Sequence, residues 1–165
     1  MARRGGASAR DAPVEAGLQA EVLAIFPRRC GDAGAACALR VLGDAASGNA
    51  TTLTLAPHLG LVTVDATAQG NQAVRAGPLP PPDDAAAAGG WAVHMIIDHC
   101  LLEVIVANTT ALVVYAAPAP TASQVSLVGV GEADAGAELH VWKLASANND
   151  ANAQQEEVLP PIEGS

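Results

Sequence analysis

The stretch that decides the fold is residues 91–117, WAVHMIIDHCLLEVIVANTTALVVYAA. It contains three runs rich in Val, Ile and Leu with two pairs of turn residues between them, namely 91–98, 101–107 and 110–117, interrupted by His99-Cys100 and Asn108-Thr109. β-Branched side chains favour extended backbone, and Asn tolerates the left-handed conformation that a tight hairpin needs. The stretch therefore predicts three antiparallel strands joined by hairpins.

Short strands are predicted on both sides of this meander. They cover residues 18–26, 37–43, 51–55 and 61–65 before it, and 124–130 and 137–144 after it. Residues 69–90 are rich in Pro and are predicted to form a loop around the sheet edge, because proline lacks the amide donor of a ladder. Eight or nine short strands without a long helical pattern predict an all-β protein, a two-sheet antiparallel β-sandwich.

The length of 165 residues predicts one domain. We expect a disordered lead-in at 1–16, the β-sandwich at 17–146 and an acidic polar tail at 147–165. The net charge of −9 argues against binding nucleic acid or an anionic membrane surface. No apolar run reaches the roughly 18–20 residues of a membrane span, and no apolar segment follows the basic first residues as in a signal peptide.

The residues DHCLLEVIV at 98–106 resemble a signature, D-[HR]-S-[hydrophobic]2-E-V-F, of the C-terminal β-sandwich of glycoside hydrolase family 32. This family contains invertases, inulinases, levanases and fructan exohydrolases. Residues 34–41 with 51–65 resemble its pair of hairpins, and 125–144, ending in LHVWKL, resembles its closing strand, so the resemblance covers about 18–144. Cys100, Ile105 and Ala116-Ala117 depart from the family pattern. The resemblance implies a concanavalin-like jelly roll in which Asp98, Glu103 and Trp142 are structural motif residues.

The resemblance also implies a parent activity, hydrolysis of β-fructofuranosyl bonds in sucrose or fructans. In the family the catalytic groups lie in an N-terminal propeller, in W-x-N-D-P-N-G, R-D-P and E-C motifs. This chain contains none of these motifs. RDAP at 10–13 resembles the R-D-P motif only superficially. Asp98 and Glu103 flank one turn and are candidates for the carboxylate pair of a glycosidase. Their place in the sandwich motif favours a structural role instead. The chain alone is therefore predicted to be inactive.

Other chemistry has little support in the sequence. The four histidines, at positions 58, 94, 99 and 140, have no metal-ligand spacing, and no cofactor motif is recognisable. Cys30 and Cys37 are expected to be buried thiols, with a disulfide across a hairpin as the alternative. Cys100 is expected to be a packed thiol in the turn of the meander.

The sequence indicates two kinds of contact at the surface, one with a sugar and one with a protein partner. Trp91 and Tyr115 are candidates for contact with a sugar or a partner, although Trp91 also has a core-like pattern; Trp142 is predicted to pack in the core. Both faces of the central strands are apolar, which predicts that the outer face is covered by a propeller-bearing partner or by a second copy. Glu at Ile96 or Val104 is then expected to favour the monomer at little cost to folding. The alternative functions are a lectin-like module for sucrose- or fructan-type carbohydrate and a structural interaction sandwich.

Overall fold

The structure of the protein, a computed structural model, describes residues 13–30, 37–71, 74–82, 89–129 and 137–144. These residues form eleven strands and two single-turn 3-10 helices, at Pro57–Leu59 and Thr67–Gln69. The strands are β1 (Val14–Glu15), β2 (Gln19–Pro27), β3 (Cys37–Gly43), β4 (Thr51–Ala56), β5 (Leu61–Asp65), β6 (Val74–Pro78), β7 (Gly90–Asp98), β8 (Leu101–Val106), β9 (Thr110–Tyr115), β10 (Gln124–Val128) and β11 (Glu138–Lys143). Among the described residues, none of the helices has the length and apolar character to span a membrane.

The strands form two antiparallel sheets that pack as a sandwich, which confirms the predicted fold class. The six-stranded sheet has the order β1-β10-β3-β4-β5-β6, and the five-stranded sheet has the order β11-β2-β7-β8-β9. The central meander of the sequence forms β7, β8 and β9 of the five-stranded sheet. Asn108 has a φ of 56° in the turn between β8 and β9, as the turn chemistry predicted.

Alternating side chains of both sheets fill the space between them. In β7 the inward residues are Trp91, Val93, Met95 and Ile97, and in β8 they are Leu102, Val104 and Val106, all at most 4% exposed. Val104 is therefore a core residue, and the expectation that Glu at this position would leave folding intact is wrong. A carboxylate there would be buried without a partner. Ile96, in contrast, lies on the outer face.

Two strands lie in segments for which the sequence predicted none. β6 falls within the predicted loop 69–90 and pairs with β5 at the edge of the six-stranded sheet, where the missing amide of Pro78 costs no ladder hydrogen bond. β1 lies in the predicted lead-in and pairs with β10, so the sheet already includes Val14. Residues 1–12 and 145–165 lie outside the described residues, and the lead-in and tail there stay predictions.

The cysteines differ from their predicted states. Cys30 and Cys37 form a disulfide with a Cα–Cα separation of 5.7 Å, so the expectation of two thiols is wrong and the alternative holds. The bond is buried and connects the chain just after β2 in one sheet to the start of β3 in the other. Cys100 is exposed rather than packed, because it sits in the hairpin turn beyond the ends of β7 and β8.

Candidate functional site

Asp98 and Glu103 lie close together on the outer face of the five-stranded sheet. Asp98 is opposite Leu101 and Glu103 is opposite Ile96, so the two carboxylates are diagonal neighbours on β7 and β8. The Asp98 carboxylate lies 2.9 Å from His99 Nδ1 and accepts a hydrogen bond of 3.0 Å from Gln19 Nε2. These bonds, that of His99 first, hold the pKa of Asp98 below its ordinary value.

This environment is the opposite of what a glycosidase acid requires. A general acid for glycoside hydrolysis has its pKa raised, typically by an apolar pocket, so that it keeps its proton near neutral pH. The pKa of Asp98 is lowered, and both carboxylates are exposed on an open sheet face. No described residue donates a hydrogen bond to Glu103. The geometry of the pair gives no support for acid–base catalysis.

Trp142 lies on the same outer face, so its predicted core position is wrong. The pairing of β11 with β2 places Trp142 opposite Glu21, while Leu139 points inward and is buried. The indole ring stacks on His140 with a centroid distance of 5.9 Å and an interplanar angle of 13°. The neighbouring apolar residues Val141 and Leu144 misled the prediction, because strand parity rather than composition decides the face.

Imidazole–carboxylate pairs surround this indole. His140 Nε2 lies 3.1 Å from Glu138 Oε2, and His94 Nε2 lies 3.0 Å from Glu21 Oε1. Both pairs are half-buried on the outer face formed by β11, β2 and β7. Together with Trp142 they form a polar and aromatic cluster on this part of the face, with groups that can exchange hydrogen bonds with a ligand.

The two aromatic contact candidates differ in accessibility. Trp91 is only 4% exposed, and its indole Nε1 donates a 2.8 Å hydrogen bond to the carbonyl of Pro80. It is therefore a core residue and has no free ring face for a sugar. Tyr115 is 62% exposed at the end of β9 on the outer face. It keeps its candidate role, and its backbone carbonyl accepts a hydrogen bond from the Asn71 side chain.

A cleft of about 410 Å³ opens at the loops where β3 and β9 end. The carboxylate of Asp44 accepts bonds from the hydroxyls of Ser47 and Thr121 and from the backbone amides of Ala46 and Ser47. These bonds, that of the Ser47 hydroxyl first, lower the pKa of Asp44. Because groups of the chain itself donate hydrogen bonds to this carboxylate, Asp44 stabilises a folded turn and is not arranged as a catalytic group.

Sequence reasoning missed the polar residues of this cleft. Gln69 is buried, accepts a bond from the Thr51 hydroxyl and donates through Nε2 to the Leu42 carbonyl at 2.6 Å. The turn DAASGN at 44–49 carried a usable signal, since an Asp that opens a turn often binds the amides two and three residues later. No comparable sequence signal identifies Gln69 as a buried hydrogen-bonding residue. Within the part of the chain that the structure describes, no three His, Cys, Asp or Glu residues are grouped to hold a metal ion.

Comparison with solved structures shows where this fold occurs in other proteins. No family model matches the chain, and no curated protein matches it in sequence. The structure is similar to part of the exo-inulinase from Aspergillus awamori, with a TM-score of 0.65 and 19% identity over 84% of this chain and 28% of the enzyme. It is also similar to the family 32 β-fructofuranosidase of Bombyx mori, with a TM-score of 0.58 and 16% identity over 85% of this chain and 26% of the enzyme.

A smaller protein also shares the fold. Sheep galectin-11 matches with a TM-score of 0.51 and 10% identity, over 86% of this chain and 100% of the galectin. The chain thus spans little more than a quarter of the two enzymes but the whole of the galectin. The resemblance to the family 32 sandwich is confirmed at the level of the fold, because the chain has the sandwich architecture found in part of those enzymes.

Proposed function

We propose that this sandwich is the non-catalytic module of a β-fructofuranosidase-like glycoside hydrolase and stabilises a catalytic propeller domain. The observation that carries the proposal is the match to just over a quarter of complete enzymes of this kind. The carboxylates of the outer face support it, because the lowered pKa of Asp98 suits a hydrogen-bonding role and not acid catalysis. The parent substrate class is sucrose or fructans.

The first test is the activity of the purified chain. We expect no release of fructose from sucrose or inulin above the buffer rate, because Asp98 and Glu103 lack the environment of a catalytic pair. The measurement is a reducing-sugar assay, with exo-inulinase from Aspergillus awamori as the positive control. Turnover that disappears in Asp98→Asn or Glu103→Gln would contradict the proposal, since it would place catalysis in the sandwich.

The second test is the stabilising role itself. The propeller portion of the Aspergillus awamori enzyme is expressed without its sandwich, and either this chain or the enzyme's own sandwich is added in trans. We expect this chain to lengthen the half-life of inulin hydrolysis on heating, because a covered domain surface opens less often. If the enzyme's own sandwich protects the propeller and this chain does not, the stabilising role is refuted.

A second candidate function is carbohydrate binding without catalysis, as in a lectin-like module. The observation that favours it is the half-buried Trp142 stacked on His140 beside two imidazole–carboxylate pairs. Aromatic rings with adjacent hydrogen-bonding groups suit the apolar faces and hydroxyls of sugars. Titration calorimetry with inulin and sucrose tests it, and Trp142→Ala should abolish any heat of binding. A variant with unchanged binding would show that Trp142 is not the contact.

A further inference from the structure

Two Asn-x-Thr sequences lie where turns of the described chain lead into strands. They are NAT at 49–51, which enters β4, and NTT at 108–110, which enters β9. Asn-x-Ser/Thr, with any residue but proline in the middle, is the acceptor sequence for N-linked oligosaccharide in secreted proteins. So short a sequence also arises by chance, and the surroundings of each asparagine therefore decide whether it suits a glycan.

Asn108 has the exposure that a bulky glycan requires. It lies in the turn between β8 and β9, where the Thr109 amide donates a 3.1 Å hydrogen bond to the Val106 carbonyl. The Asn108 side chain is exposed, and among the described residues none forms a hydrogen bond with its amide group. A glycan attached there would extend into solvent and displace no packed group.

Asn49 offers an acceptor of the same kind. It is exposed, and its hydrogen bonds with the described residues involve only its backbone: the amide donates to Ser47 Oγ at 3.3 Å, and the carbonyl accepts from the Asp44 amide at 2.9 Å. Asn49 lines the cleft beside Ala117, beyond the end of β9, whereas Asn108 precedes the start of that strand. The two asparagines therefore lie at opposite ends of the sandwich, and neither lies on a sheet face.

The disulfide between Cys30 and Cys37 gives independent support for maturation on the secretory route. Both half-cystines are buried, and the bond connects the chain after β2 in one sheet to the start of β3 in the other. Disulfides form and persist in the lumen of the endoplasmic reticulum and in secreted proteins, and they are rare in the cytosol. N-Linked glycans belong to the same class of secreted proteins. The bond and the two acceptor sequences thus indicate one compartment.

The threonine hydroxyl that each acceptor sequence requires is buried once the sandwich has formed. Thr110 is buried and its hydroxyl donates a 2.6 Å bond to the Pro78 carbonyl, and Thr51 is buried with its hydroxyl bonded to the Gln69 side chain. A transferase must reach the asparagine and this hydroxyl together. It therefore has access to both groups only while β4 and β9 are not yet packed.

We propose that Asn49 and Asn108 each accept an N-linked oligosaccharide before the sandwich folds. The donor is an oligosaccharide joined through a diphosphate to a lipid. The asparagine Nδ2 forms a bond to C1 of the first sugar, and the bond from C1 to the diphosphate oxygen breaks. Its electron pair leaves with the lipid diphosphate, and one amide proton passes to a base of the transferase. The inference does not depend on the proposed function, because it requires neither a propeller nor a bound sugar ligand.

The first experiment is peptide mapping of the chain purified from the cells that produce it, after glycan release by an amidase in heavy-oxygen water. The release converts a glycosylated asparagine into a labelled aspartate. We expect the label at residues 49 and 108 and at none of the other asparagines, which lack a hydroxyl residue two positions later. An unlabelled asparagine at either position overturns the proposal for that site, and the absence of label at both overturns it entirely.

Variants of the full chain, produced in eukaryotic cells behind a cleavable secretory leader, assign the acceptors. Asn49→Gln and Asn108→Gln should each remove one glycan. Thr109→Ala, which changes only the middle residue of the acceptor sequence, is the matched control and should remove none. Thr110→Ser keeps the hydroxyl and should keep the glycan, whereas Thr110→Val should lose it although Asn108 is unchanged. The glycans are counted on total cell protein, so a variant that folds poorly still gives a result; a glycan retained in Thr110→Val contradicts the proposal.

The order of transfer and folding is tested with purified oligosaccharyltransferase and its lipid-linked donor. The unglycosylated chain is offered either folded, with its disulfide intact, or reduced and unfolded. We expect transfer to the unfolded chain to be at least about tenfold faster, because the hydroxyls of Thr51 and Thr110 become accessible in the folded chain only when strands open. Equal rates for the two forms would show that transfer does not have to precede folding and would overturn that part of the proposal.

Discussion

Gln69 connects two buried polar groups, the hydroxyl of Thr51 and the carbonyl of Leu42. Its side chain accepts from the Thr51 hydroxyl and donates to the Leu42 carbonyl, next to a backbone with a φ of 52° at Leu42. Removing this amide takes a hydrogen-bond partner from a buried hydroxyl and from a buried carbonyl, and a buried polar group left without a partner costs about 1–3 kcal/mol. The residue thus ties the end of β3 to the start of β4 through the loop after β5.

We expect Gln69→Ala to lower the free energy of unfolding by about 2–4 kcal/mol, measured by urea denaturation. Gln19→Ala is the control, because it also removes one amide hydrogen bond, but at a position where water can replace it; it should cost less than about 1 kcal/mol. Equal effects of the two substitutions would show that the Gln69 bonds are not what holds this loop.

Single-residue positions on the candidate site were only partly predictable from the sequence. The outward position of Ile96 agrees with the structure, whereas Trp91, a candidate contact residue with a core-like pattern, lies in the core. Trp142 and Val104 were assigned to the wrong faces, because in a run that is apolar on both parities composition does not say which side meets the core. The face is decided by the pairing with the neighbouring strand, and this pairing cannot be read from the local sequence.

The pairing of β2 with β7 depends on one glycine at the strand entrance. A Cβ atom on Gly90 would stand 1.9 Å from the Phe26 carbonyl oxygen, a backbone atom that cannot turn away. Gly90 is opposite Pro27 in this pair, where the two strands begin to run together. The close approach explains why a residue without a side chain occupies the start of β7.

Gly90→Ala is therefore expected to cost about 3 kcal/mol or more in stability, because the two central strands must separate. Gly89→Ala is the matched control; its Cβ meets nothing within 4 Å, but its φ of +56° makes the change cost about 1 kcal/mol. Thermal unfolding followed by circular dichroism measures both. A Gly90→Ala midpoint as high as that of Gly89→Ala would contradict the clash.

Strands were predictable wherever turn residues flanked a segment of alternating apolar and polar residues. The predicted bounds of β3 and β5 match the structure, since turn residues flank both strands. β6 was missed because Gly77 and Pro78 are read as loop residues, yet both are tolerated at an edge. Gly77 also suits this position, because a Cβ would approach the Thr110 methyl group to 2.8 Å and force that side chain to shift. The sequence does not show which strand lies at an edge.

At the scale of the molecule, a disulfide reinforces one of the chain connections between the two sheets. The disulfide between Cys30 and Cys37 closes a short loop between β2 and β3. In the chain-entropy account, a loop of about eight residues restrains the unfolded chain by about 2.5 kcal/mol. The bond therefore adds a substantial part of the stability of a domain whose core has few aromatic side chains.

The double variant Cys30→Ala/Cys37→Ala should lose about 2–3 kcal/mol of unfolding free energy relative to the parent chain. Cys100→Ala serves as the control and should change it by less than about 0.5 kcal/mol, because this side chain is exposed. A thiol titration in denaturant without reductant gives an independent check, with one reactive group expected per chain. Three reactive groups would show that the bond is absent.

The position of Cys100 has a practical consequence for studying the surface beside it. With Cys30 and Cys37 bonded, it is the single thiol of the chain that a maleimide dye can reach. It precedes Leu101, and its carbonyl accepts a bond from the Ala116 amide, so a fluorophore attached there would sit at the margin of the outer face of the five-stranded sheet. Energy transfer between donor- and acceptor-labelled chains, or a change in the anisotropy of one dye, would then report when that face is occupied without any further engineering of the protein.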